Sequence, residues 1–69
     1  MTYLYRFENN NRSAQIEEIH NRFDVHFYEN TSYLGTIEYP DKSYPYVQDA
    51  AYNWVEHIMK PETVKEYAR

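Results

Sequence analysis

The chain has 69 residues, 42% hydrophobic and 26% charged, a length that suits one small domain. With no cysteine, disulfides, thiolate metal sites and thiol nucleophiles are excluded, and a domain this small buries only roughly 60% of its unfolded surface, a reason to expect a partner subunit. Eleven acidic against seven basic residues give a net charge of −4, which disfavours phosphate backbones, and the conspicuous excess is tyrosine, nine copies against one glycine.

Residues 2–8 alternate, with Tyr3, Tyr5 and Phe7 on one side and Thr2, Leu4 and Arg6 on the other, the two-residue period of a strand. Asn9-Asn10-Asn11 reads as a turn, because asparagine tolerates a left-handed backbone. Residues 13–19 fit two readings. Ile16, Ile19, His20 and Phe23 have helical spacing behind a Ser13 cap, with Glu17 and Glu18 in the first turns. However, residues 7–9 and 16–17 are matched by 28–30 and 37–38, 21 positions later, which favours a strand and two hairpins of equal length. Residues 22–29 alternate again, Phe23, Val25 and Phe27 against Asp24, His26 and Tyr28. After a turn at 30–32, residues 33–39 form the last strand, with Tyr33, Gly35, Ile37 and Tyr39 on one face and Leu34, Thr36 and Glu38 on the other. Pro40 ends it, since proline cannot donate to a ladder.

A helix is predicted over 46–59. Val47, Ala50, Ala51, Trp54, Val55 and Ile58 form its apolar stripe, while Gln48, Asn53 and Glu56 face water. Pro45 suits the first turn, Asp49 the positive end, and His57 and Lys60 the negative end. Pro61 stops it, and residues 62–69 form a short tail helix or a frayed end, with Val64, Tyr67 and Ala68 on one side.

These elements predict a single α+β domain: an antiparallel meander of three or four strands with one C-terminal amphipathic helix on one face. The predicted core is Phe23, Val25, Phe27, Val47, Ala51, Trp54 and Ile58. A helix of about fourteen residues spans only about 21 Å and covers one sheet face, so the other stays open. The strands carry aromatics on both faces. Tyr3, Tyr5, Phe7, Tyr28, Tyr33 and Tyr39 are therefore the candidate interface, for aromatic anchors dominate interface energetics and large exposed apolar patches are rare on monomers.

Catalytic chemistry finds no foothold in the motifs. His20, His26 and His57 sit in no metal-binding or catalytic pattern; Glu17 and Glu18 point to opposite faces of a strand; Gly35 alone cannot build a phosphate loop; and Ser13, Ser32 and Ser43 lack a nucleophile elbow. No catalytic, cofactor or metal site is expected. A sheet bearing Tyr3, Tyr5, Phe7 and Arg6 could stack single-stranded bases, an alternative against which the acidic surplus weighs. A third reading, an acidic mimic that blocks a DNA-binding protein, needs Glu8, Glu17, Glu29 and Glu38 on one ridge. Asn11-Arg12-Ser13 and Asn30-Thr31-Ser32 match the glycosylation pattern, which matters only in a secretory compartment, and no apolar run approaches the roughly 18 residues of a spanning helix. No membrane association is expected.

The run Tyr44-Pro45-Tyr46-Val47-Gln48-Asp49-Ala50-Ala51-Tyr52-Asn53-Trp54-Val55-Glu56-His57-Ile58 resembles the YxxDAAxNWVxxI ending of small accessory proteins carried by tailed phages of cyanobacteria. The resemblance covers the helix region alone and carries no catalytic residues across. It implies a virus-encoded protein in a bacterial cytosol. The combined expectation is a non-enzymatic protein that self-associates, as a dimer, and binds a host protein through an aromatic and acidic surface.

Overall fold

The computed structural model describes residues 2–68. Among them, β1 (Thr2–Asn9), β2 (Arg12–Ile19), β3 (Arg22–Glu29) and β4 (Ser32–Tyr39) form one antiparallel sheet in the order β1-β2-β3-β4, followed by α1 (Tyr44–Val55) and α2 (Pro61–Tyr67). Each strand has eight residues and starts ten after the last, so two-residue turns connect all four. The turn backbones show why residues 12–19 extend rather than coil: Asn10, His20, Asn21, Asn30 and Thr31 all take positive φ, between 51° and 65°. Left-handed central residues give tight hairpin turns the twist their strands need. The two hairpins are equal in length, but they repeat at 20 residues, not at the 21 suggested by the sequence match.

Both helices lie on the face made by Ala14, Ile16, Val25, Phe27 and Ile37, which are buried with Val47, Ala51, Trp54, Val55 and Val64 in one core. Of the predicted core, Val25, Phe27, Val47, Ala51 and Trp54 are fully buried, and Phe23 packs at its margin against Tyr44. Trp54 meets the Phe27 ring edge-on at 5.5 Å and donates Nε1–H to the carbonyl of Tyr28 at 3.1 Å. Ile58 is a correction: it is 65% exposed. The helix ends at Val55 because His57 adopts φ +64°, its N–H bonding the Trp54 carbonyl while Ile58 N–H bonds Asn53. That pair of bonds is a Schellman closure, here built on histidine where glycine is usual. It turns the chain away before Ile58 can reach the sheet.

The C-terminal layer is therefore two helices, not one. The apolar place expected of Ile58 is taken by Val64 of α2, which is fully buried. The predicted charge complement also shifts: α1 starts at Tyr44, so Asp49 lies past its first turn, and it stops before His57 and Lys60. Gly35 lets α2 sit close, since a β-carbon there would lie 2.5 Å from that of Ala68. Arg12, with no role in the sequence reading, pins the layers together. Its guanidinium lies 4.1 Å over the Trp54 ring, donates from Nη1 to the carbonyls of Trp54 (3.2 Å) and Met59 (2.9 Å), and pairs through Nε with Glu29 at 3.0 Å. The bond to Met59 gives the link to α2 a donor for its carbonyl, and the one to Trp54 adds a second donor beside the His57 N–H.

Candidate interface on the open sheet face

Strict alternation would place Tyr3, Tyr5 and Phe7 together, and Tyr33 with Gly35 and Ile37. Two irregularities in the edge strands alter this. The β1–β2 register shifts between Tyr3 and Arg6, and the β3–β4 register shifts beside Phe27, where Tyr28 pairs with Tyr33 and Leu34 becomes the extra residue. A bulge of this kind moves every side chain beyond it to the other face. Tyr3 and Tyr33 thus reach the uncovered face, while Phe7 and Leu34 turn toward the core.

The six candidate interface residues divide accordingly. Tyr3, Tyr28 and Tyr33 share the open face with His26: the Tyr3 ring is 6.2 Å from the His26 ring, and Tyr28 and Tyr33 meet at 5.5 Å. Tyr5 and Phe7 touch edge-on at 4.7 Å, and Phe7 packs against the core, a correction to its place in the interface. Tyr39 is the second correction. It packs at the core margin beside Tyr46, and burial first, then the Tyr46 phenol, pushes its hydroxyl up to about 12.

Polar residues lie beneath the open-face aromatics, and they are organised. Glu17 and Asp24 are only 5% and 6% exposed although no helix covers them. Glu17 Oε1 is 2.8 Å from His26 Nε2, His26 Nδ1 is 2.6 Å from Thr36 Oγ1, and Thr36 Oγ1 bonds the Tyr33 hydroxyl. A carboxylate can only accept, so the ring donates Nε2–H to Glu17, and Nδ1 continues the chain to the Thr36 and Tyr33 hydroxyls. The exposed phenol is thus oriented by a chain that runs across three strands. Beside it, Arg22 binds Asp24 at 3.0 Å and Glu38 at 3.6 Å, the Asp24 hydrogen bond chiefly holding its guanidinium above the ordinary value. On β1, Arg6 donates to Ser13 at 3.0 Å, lies 5.4 Å over the Tyr28 ring and approaches Glu8 at 3.7 Å. Among the described residues, no buried side-chain polar atom lacks a partner.

Sequence reasoning missed Glu17, His26, Thr36 and Arg6 as one constellation. The signal was the ten-residue spacing of the turns, which sets His26 opposite Gln15 and Thr36 once the strands are paired. The geometry also bears on the alternative surfaces. Glu8, Glu17 and Glu38 share the open face, but Glu29 pairs with Arg12 on the helix side, so the four glutamates form no single ridge. The described residues hold no group of three or more His, Asp or Glu placed to bind a metal ion, and no helix among them is long and apolar enough to cross a membrane. Comparison with protein-family models, curated protein sequences and solved structures finds no match to this chain.

Proposed function

We propose that the protein is a non-enzymatic interaction module that self-associates and binds a partner protein through its open sheet face. The observation that carries this reading is the pair of edge-strand bulges, which spend regular pairing to place Tyr3 (64% exposed) and Tyr33 (55% exposed) around the His26 chain. Amphipathic rings with few rotatable bonds make low-entropy anchors, and the hydrogen-bonded row below them holds one phenol in a fixed direction. A hollow of about 280 Å³ beside Arg6, Ser13, Tyr28 and the Asn10 and Asn30 turns gives a partner's side chain a place to seat. The phage resemblance adds that the partner is a protein of the bacterial host, met in its cytosol.

Stacking of single-stranded nucleic acid fits the same face less well. Its two arginines, Arg6 and Arg22, are both engaged by carboxylates, so neither is positioned to neutralise phosphate without losing an ion pair. An acidic mimic is disfavoured because Glu17 and Asp24 are buried, the first hydrogen-bonded to His26 and the second paired with Arg22. The test is affinity capture from the expressing cell with the Tyr3→Ser/Tyr33→Ser variant and a Tyr52→Ser/Tyr67→Ser control on the helices. The open-face variant is expected to lose the partner and the control to keep it. Equal retention by both would remove the open face from the contact.

A further inference from the structure

The β1 edge pairs with no strand among the described residues, and Thr2 to Arg6 are all exposed, including Tyr3, Leu4 and Tyr5. On the other edge, Leu34 to Tyr39 are half-buried or buried, packed by α2. An eight-residue edge with unpaired backbone groups, an exposed leucine and no proline or lysine is a template for another strand.

We infer that this edge pairs with β1 of a second copy, antiparallel about a two-fold axis at Phe7, joining two sheets into one of eight strands. The pairing rests on the self-association proposed above and names its surface. The register follows from faces and charges. Directly opposed residues in an antiparallel pair share a face, so a one-residue slip is forbidden by the pleat, and the irregularity between Tyr3 and Arg6 confines regular pairing to Arg6–Asn9 and its neighbour Tyr5. Centring the axis on Arg6 sets two guanidinium groups face to face, and centring it on Glu8 opposes two carboxylates. Centring it on Phe7 sets Arg6 opposite Glu8 of the second copy twice over. With the existing contact of 3.7 Å within each chain, the four charges alternate in sign around a square on the open face. On the helix face, Phe7 meets its counterpart and the exposed Tyr5 gains cover between the two α1 helices. Both helix layers stay on one side, as a two-fold axis normal to the sheet requires.

Sedimentation velocity from about 1 μM to about 1 mM on the chain and its charge variants tests the pairing. Arg6→Glu is expected to weaken dimerisation at least about tenfold by opposing carboxylates, and Arg6→Glu/Glu8→Arg to restore it. Because the natural chain has no cysteine, a second measurement fixes the register. Opposed Cα atoms lie about 4.5–5.5 Å apart, within disulfide reach, and diagonal ones at about 7–8 Å are not. Arg6→Cys mixed with Glu8→Cys is expected to oxidise to the mixed dimer, each alone staying uncrosslinked. A dimer indifferent to the charge exchange, or Arg6→Cys joining to itself as readily, overturns this pairing while leaving self-association intact. A chain that stays monomeric, even one that accepts an added foreign peptide strand on this edge, overturns both.

Discussion

Arg12 shows how one buried charge can hold two layers. Its bond to the Met59 carbonyl supplies a donor that the link to α2 would otherwise take from water, its bond to Trp54 adds to the one from His57, and Glu29 compensates its charge at 3.0 Å. Removing one member of a buried, hydrogen-bonded pair leaves the rest unsatisfied. Arg12→Ala is therefore expected to cost about 3 kcal/mol in denaturant unfolding, with α2 exchanging its amides faster than the sheet does. Tyr39 predicts a pH effect. Its hydroxyl, raised from 10.0 to about 12 mainly by burial, keeps its proton in the folded state when the unfolded chain has released it. The stability linked to that proton is complete below pH 10 and is lost as pH rises toward about 12. Tyr39→Phe should flatten the decline between those values in alkaline unfolding curves. At this scale the sequence was least informative, because Arg12 and His26 acquire their roles from residues 42 positions away and on adjacent strands.

At the element scale, what was legible and what was not follow from different physics. The β3 boundaries and the alternation of Phe23, Val25 and Phe27 could be read directly, since a central strand covered on one face has a clean period of two. The edge strands misled by the same rule: a bulge needs no signature residue, so Tyr3 and Tyr33 were assigned to faces they leave. The end of α1 was hidden too, because a left-handed closure on His57 lacks the glycine that marks such a stop. His57→Gly is accordingly expected to stabilise the fold by about 1 kcal/mol, read as a higher denaturant midpoint at unchanged slope. Gly35→Ala should do the reverse. The added carbon would lie 2.5 Å from Ala68 at a φ of +154°, so α2 must shift, at a cost of about 2 kcal/mol by thermal unfolding.

For the whole molecule, the tyrosine excess now has a geometric meaning. Two helices cover one sheet face and bury Trp54, Phe27 and Val64, while the opposite face keeps its own ordered polar layer under Tyr3, Tyr28 and Tyr33. A surface ordered before contact loses little entropy on binding, which suits a small domain that works by association. The central claim is that partner contact runs through this open face. Its most direct test is a photoreactive phenylalanine analogue at position 33, far from the β1 edge, compared with the same analogue at position 52 on α1 in the expressing cell. Specific adducts to a partner protein from position 33, displaced by excess unmodified chain and missing from position 52, are the predicted result. Adducts from position 52 alone, or equally from both, would contradict it.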